Sequence, residues 1–166
     1  MSQAHLHLVI THLPIFGSIL GAFVLGYALW SKSNQTKTAA YFLFIISAIG
    51  AGIAYLTGEG AEEAVEDVLG VNENIIGQHE DFAMYALVSL IVLGVFSLIA
   101  LYLTYIKSGL VRSAAVVILV ISLISFSLVA WTGYLGGQIR HTEISNGAVQ
   151  NDGGQEKGEK EDKDDD

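Results

Sequence analysis

The amino-acid sequence predicts an all-α membrane protein built as a four-transmembrane-helix bundle. Three observations support this fold class. Hydrophobic residues make up 52% of the chain, somewhat more than in an ordinary soluble domain. Four long stretches are almost free of charged residues, and roughly 20 apolar residues are enough for a helix to cross a hydrocarbon core about 30 Å thick. The segments between them are short, except for one acidic loop.

The four predicted spans cover about residues 8–30, 38–57, 82–106 and 110–135, within one transmembrane domain over residues 1–144. None of them has an acidic residue in its middle. The first span has no basic residue before its apolar run, and its lysines follow it, which is opposite to a secretory signal peptide. We therefore expect an uncleaved first helix with its N-terminus outside.

The C-terminal residues 145–166 form a polar, acidic segment. Eight of the 17 acidic residues lie from Asp152 onward, and the segment has no apolar periodicity. We predict a disordered, solvated tail. Its charge argues against a nucleic-acid partner.

The charges of the loops predict the orientation. The loops after spans one and three carry Lys32, Lys37, Lys107 and Arg112 and no acidic residue, whereas residues 59–81 carry eight acidic residues and no Lys or Arg. The positive-inside rule then assigns the basic loops to the cytoplasm. Both termini and the acidic loop are expected outside, in a multi-pass protein of a bacterial inner membrane.

The acidic loop has an element of its own, and the spans show a weak repeat. The residues Ala61, Ala64, Val65, Val68 and Leu69 recur at helical spacing opposite acidic residues, which predicts a short amphipathic helix. Spans two and four end with similar residues, Ala54–Gly58 and Ala130–Gly133. This similarity suggests two tandem helical hairpins, in which His12 and His79 correspond.

All histidines fall at or beyond the outer ends of the predicted spans: His5, His7, His12, His79 and His141. An amphipathic side chain at the interface is the simplest explanation for any one of them. Together, however, they come from three spans, as a ligand set in a bundle requires. His12 also lies beside Pro14, which favours a first turn or a kink. We therefore predict His12 and His79 as the first metal ligands, with His141 and then His7 behind them.

Three functions are compatible with this cluster. In the leading hypothesis His12 and His79 ligate haem b in an electron-transfer subunit, and Arg140 binds the haem propionates. Alternatively, three imidazoles with Glu80 or Asp81 bind copper or zinc, or the chain is a structural subunit without a cofactor. The absence of cysteine excludes c-type haem attachment and thiolate clusters. No nucleophile or phosphate-binding motif is present, so the chain is not expected to be an enzyme by itself.

The residues His7–Ile15 resemble the HPxxVHFPI start of a bacterial four-span family, domain of unknown function 2231. The resemblance continues through Thr57-Gly58 and His79, and ends at residues 136–141, which are similar to GGxLVYxHG. It covers about residues 5–141. Leu8, Leu13 and Thr142 depart from the pattern, and Leu8 puts the role of His7 in doubt. Because members of this family occur joined to Rieske or cytochrome c modules, the resemblance implies a redox setting. The expected partners are the bilayer and a periplasmic redox protein or a quinone-linked complex.

Overall fold

The computed structural model describes residues 2–66 and 73–140 of the chain. This part of the chain contains no strand and consists of six helices, α1 (Gln3–Ile10), α2 (His12–Trp30), α3 (Asn34–Leu56), α4 (Glu59–Glu66), α5 (Glu73–Tyr105) and α6 (Val111–Arg140). The end of the bundle that carries α1, α4 and the first turns of α5 is called the α4 end. The predicted acidic tail, residues 145–166, lies outside the described residues.

Four helical segments are long and apolar enough to cross a membrane, Gln3–Trp30 (α1 with α2), Asn34–Leu56, Glu73–Tyr105 and Val111–Ile139. The predicted all-helical fold, with four helices long and apolar enough to span a membrane, is therefore confirmed. A helix suits these residues because a chain in hydrocarbon must pair its backbone polar groups within itself. Large apolar side chains such as Phe23 and Leu98 point outward from the bundle, as lipid-facing residues do.

The helices extend further than the hydropathy predicts. α5 begins at Glu73 and not near residue 82, and α6 continues to Arg140 and not to residue 135. Hydropathy detects only the apolar part of a helix, and polar residues continue these helices at the α4 end. The predicted break beside Pro14 falls at Thr11, whose φ of −61° and ψ of −20° carry α1 into α2 with little change of direction. A short helix in the acidic loop is present as α4, although Val68 and Leu69 lie outside the described residues.

The two turns at the opposite end of the bundle share one backbone motif. Lys32 and Lys107 adopt positive φ angles of 56° and 54°. The residue after each lysine donates its backbone N–H back to the preceding helix, from Ser33 to Ala28 O at 3.1 Å and from Ser108 to Leu103 O at 3.0 Å. This is the Schellman arrangement, in which glycine is the usual residue at the left-handed position.

The strong interhelical contacts run around a ring in the order α2, α3, α5, α6 and back to α2. Glycines at the crossings allow close approach. A Cβ added to Gly94 of α5 would lie 2.8 Å from the Cβ of Ala48 in α3, and one added to Gly50 would lie 2.8 Å from the Cβ of Leu13. The largest side chains with full burial fill the centre of the ring, and they are Leu25, Tyr41, Phe44, Leu90, Leu93 and Ile118.

Five serines are fully buried among these apolar residues, Ser18, Ser47, Ser97, Ser122 and Ser125. The first four donate to carbonyls of their own helices, for example Ser97 to Leu93 O at 2.7 Å. Ser125 Oγ, like the Tyr41 hydroxyl, is buried with no hydrogen-bond partner in the part of the chain that the structure describes.

The buried positions of α2 and α3 recur in α5 and α6. The six buried residues of α2, Pro14, Ser18, Gly21, Ala22, Leu25 and Ala28, correspond to Ala86, Leu90, Leu93, Gly94, Ser97 and Ala100, which are buried in α5 72 positions later. Buried positions of α3 recur 78 positions later in α6 at Ala115, Ile118, Ser122, Ser125 and Val129. In this register His79 corresponds to His7 and Gly136 to Gly58. The similar ends of spans two and four, by contrast, predict that His79 corresponds to His12.

Candidate functional site

His7 lies on α1, where its ring is partly buried against the end of α3. Its Nδ1 is 2.8 Å from the carbonyl oxygen of Ala54 and 3.3 Å from Oγ1 of Thr57. α1 holds the ring there because Ser2 caps its first turn, accepting from the backbone N–H of His5. The ring also approaches Gly58, where an added Cβ would lie 3.8 Å from its Cε1.

His79 makes a similar contact between α5 and α6. It lies on α5 and is partly buried, and its Nδ1 is 3.0 Å from the carbonyl oxygen of Thr132 in α6. Its ring packs directly on Gly136, where an added Cβ would lie 3.1 Å from Cε1 and 3.4 Å from Nδ1. A glycine is therefore required beneath the ring in its observed position.

These two contacts determine which ring nitrogens carry a proton. A carbonyl oxygen can only accept a hydrogen bond, so Nδ1 must be the donor in both His7 and His79. In the neutral imidazole the lone pair then lies on Nε2, the nitrogen that is free to bind a metal. Metal-ligating histidines commonly hold their second nitrogen in this way, against a backbone carbonyl or a carboxylate.

The two rings lie close enough for a charge on one to influence the other. His7, from α1, and Glu80, its neighbour on α5, are the charged groups whose field reaches His79. The α4 end of the bundle therefore brings together two imidazoles from separate spans. We name His7 and His79 the histidine pair.

The structure gives His12 a different place. Its side chain is exposed, and its Nδ1 donates to the carbonyl oxygen of Leu8 in its own helical segment at 2.8 Å. Its ring stacks on Phe16, which is itself exposed, with the centroids 6.1 Å apart. Five residues along a helix rotate a side chain by about 140°. His12 therefore points away from the bundle when His7 points inward.

The other predicted site residues are only partly described. α6 ends at Arg140, whose side chain lies outside the described part of the structure, as does all of His141. His5 is exposed. Glu80 and Asp81 are exposed beside His79. Among residues 2–66 and 73–140 no group of three or more His, Cys, Asp or Glu residues could hold a metal ion.

A cluster of four aromatic rings follows the site along α5 and α6. Phe82 lies 6.0 Å from Tyr85 and 6.1 Å from Trp131, and Trp131 lies 5.4 Å from Tyr134, measured between ring centroids. Tyr85, Trp131 and Tyr134 are about half exposed. Tyrosine and tryptophan at this level are typical of a membrane–water interface. We therefore expect the histidine pair to lie at the edge of the hydrocarbon or just outside it.

Sequence reasoning undervalued His7, although a signal for it exists. His7 precedes the buried residues Pro14 and Ser18 by seven and eleven positions, and His79 precedes Ala86 and Leu90 by the same distances. Both intervals bring a helix back to nearly the same face. The face of His12 continues instead through the exposed residues Phe16, Leu20, Phe23 and Tyr27.

Comparisons with protein-family models, with curated proteins and with solved structures found no match to the chain. The resemblance to domain of unknown function 2231 therefore stays a prediction.

Proposed function

We propose that this chain is a membrane-embedded haem b protein whose axial ligands are His7 and His79, and that it works as an electron-transfer subunit. One observation carries the proposal. Two partly buried imidazoles from separate helices lie at one end of the bundle, and each donates from Nδ1 to a backbone carbonyl, at 2.8 Å and 3.0 Å. His7 replaces His12 in our assignment, because the His12 ring faces away from the bundle.

The number of ligands favours haem over copper or zinc. A structural zinc site takes four protein ligands and a catalytic one takes three, and the described residues contain no group of three candidate ligands. A haem iron needs only two axial ligands, since the porphyrin supplies the other four nitrogens. The residues present therefore fit haem. Copper or zinc would need a further ligand such as His141.

In such a site the protein would hold and orient the two imidazoles. The Ala54 and Thr132 carbonyls keep each imidazole in the tautomer that leaves Nε2 unprotonated. Gly58 and Gly136 give the rings room beside the ends of α3 and α6. When bound, haem b would supply reversible one-electron transfer. We propose Arg140 as the partner of the propionates, because α6 carries it to the same end of the bundle.

We further propose that both termini and the α4 end face outward from a bacterial inner membrane, and that the fold is a pair of tandem hairpins. The basic turns at Lys32 and Lys107 support this orientation. The recurrence of buried positions after 72 and 78 residues supports the hairpins. Their pseudo-twofold axis would pass between His7 and His79. Membership of domain of unknown function 2231, with a separate periplasmic or quinone-linked redox partner, is part of the same proposal.

The test is a reduced-minus-oxidised absorption spectrum of the full-length chain, expressed with ample haem and purified in detergent. We expect a Soret band that is lost in His7→Ala and in His79→Ala and is retained in His12→Ala. His12 is the matched control because its exposed ring makes its hydrogen bond and its stacking contact within its own helical segment. A wild-type chain without the band would overturn the proposal, and loss of the band in His12→Ala alone would overturn the ligand assignment.

A second function, a structural subunit without a cofactor, is favoured by one observation. The Ala54 carbonyl at the end of α3 accepts from Thr57, through its backbone N–H at 3.3 Å and its Oγ1 at 3.1 Å, and His7 adds a third donor at 2.8 Å. The histidine would then serve as a helix cap. In that case His7→Ala should lower the unfolding free energy of the haem-free chain by about 0.5–1.5 kcal/mol, and a haem titration of the wild-type chain should show no binding.

A further inference from the structure

The clearest unassigned feature is an apolar groove at the end of the bundle opposite to the histidine pair. It lies between α5 and α6 and has a volume of about 280 Å³. The α5 side of its lining includes Phe96, Ile99 and Leu103, and the α6 side includes Leu110, Ser113 and Val117. An apolar cavity of roughly 150 Å³ is enough to admit a benzene ring, so this groove has room for a hydrocarbon segment.

The groove opens toward lipid and runs along the helices. Phe96, Ile99, Leu110 and Val117 are each at least 42% exposed. From Phe96 to Leu103 the groove follows α5 for about 10 Å, at about 1.5 Å per residue. Its shape and lining therefore match an extended acyl chain lying parallel to the helices.

Two cations lie at the turn where the groove ends. Lys107 is three residues from Leu110, and Arg112 is next to Ser113, and both side chains are exposed. The segment 106–113 contains no acidic residue. A phosphate held between a lysine and an arginine is a common pairing, because arginine can bind it through two parallel hydrogen bonds.

We propose that this groove, with Lys107 and Arg112, is a binding site for one anionic phospholipid. One acyl chain lies along α5 and α6, and the phosphate and its anionic headgroup interact with the two cations. The charge of the turn selects an anionic lipid over a zwitterionic one, because each basic residue near the membrane surface adds to the attraction for negative charge. The site is separate from the histidine pair and does not depend on haem binding.

The test is native mass spectrometry of the full-length chain in detergent, after exchange into mixed micelles with equal amounts of phosphatidylglycerol and phosphatidylethanolamine. We expect the wild-type chain to retain one phosphatidylglycerol in preference to phosphatidylethanolamine. In Lys107→Gln/Arg112→Gln this preference should fall about tenfold. In Lys107→Arg/Arg112→Lys, which keeps both charges, it should persist.

Two control pairs make the result specific. Lys32→Gln removes a cation from the turn with the same backbone motif, between α2 and α3, and should leave retention unchanged. Val117→Phe fills the groove and should reduce lipid retention at least fivefold without changing any charge. Val116→Phe should not, because Val116 is equally exposed, 46% against 48%, but does not line the groove.

Equal retention of the two lipids by the wild-type chain would overturn the proposal. An equal effect of Lys32→Gln and of the Lys107 and Arg112 double variant would overturn it too, because it would indicate general attraction to positive charge. If Lys107→Gln/Arg112→Gln does not insert into the membrane, the Val117→Phe and Val116→Phe variants still test the proposal. An equal effect of these two substitutions on lipid retention would also refute the site.

Discussion

Gly136 offers the sharpest test of how the His79 ring is held. In Gly136→Ala the new Cβ would lie 3.1 Å from Cε1 and 3.4 Å from Nδ1 of His79. Ordinary contacts of a Cβ begin near 3.4 Å, so the ring must move by a few tenths of an ångström. The ring is fixed on its other side by the 3.0 Å hydrogen bond to Thr132 O, and this bond is what the displacement would stretch.

The expected magnitude follows from that bond. A hydrogen bond within a protein contributes about 0.5–1.5 kcal/mol net, and 1.4 kcal/mol is a factor of ten in an equilibrium constant. If the imidazole needs this bond to present Nε2 to haem iron, the haem dissociation constant of Gly136→Ala should rise about two- to tenfold. Unfolding free energy should change little, because alanine is favoured over glycine in a helix interior by about 1 kcal/mol, which offsets the loss.

Gly137→Ala is the matched control, because an added Cβ there meets nothing within 4 Å. It should leave haem affinity unchanged and raise the unfolding free energy by about 1 kcal/mol. The measurements are a spectroscopic haem titration and thermal unfolding in detergent, for both variants and the wild-type chain. Equal haem affinities for Gly136→Ala and Gly137→Ala would refute the reasoning that the glycine positions the ring.

Three further predictions concern the fold. Gly94→Val should lower the unfolding free energy by about 1–3 kcal/mol, because its Cβ would lie 2.8 Å from that of Ala48. Gly52→Val should be tolerated, because an added Cβ there meets nothing within 4 Å. Thermal unfolding of the two variants measures the difference. Ser125→Ala should raise the unfolding free energy, measured by denaturant titration, by about 1 kcal/mol or more, because it removes a buried hydroxyl with no partner among the described residues. A destabilised variant would show instead that the hydroxyl has a hydrogen-bond partner. Lys32→Gly should stabilise the chain by about 1 kcal/mol by relieving a φ of 56°, while Lys32→Ala should give no such gain.

The fold could be predicted from the sequence because each span is a long apolar stretch almost free of charged residues. Uncharged stretches and the short basic turns place all four spans, and the acidic residues with Ala61 and Val65 between them predict a helix in the loop. The helix ends could not be predicted in this way. Glu80 and Asp81 look like loop residues by hydropathy, yet they lie within α5, since outside the hydrocarbon a helix tolerates polar side chains.

The sequence predicts His12 and His79 as the first ligands, whereas from the structure we propose His7 and His79. The sequence favours His12 because Pro14, two residues later, indicates a first turn or a kink, which is a feature of the local sequence. Which histidine faces the bundle is instead decided by helical phase, because the buried residues Pro14 and Ser18 follow His7 by seven and eleven positions. The contact of His79 with Thr132 depends on how α5 and α6 pack, which no single stretch of sequence encodes.

The length of α5 has a consequence for access to the site. A helix of 33 residues is about 50 Å long, against a hydrocarbon thickness of about 30 Å. Because Tyr85 and Trp131 are typical of the membrane–water interface, the turns before them, which include Glu80 and Asp81, would extend beyond the lipid tails and carry His79 with them. A group held there would have one edge in the aqueous headgroup layer. A water-soluble carrier arriving from that side would meet it directly, whereas a lipophilic carrier would have to rise out of the bilayer interior to reach it.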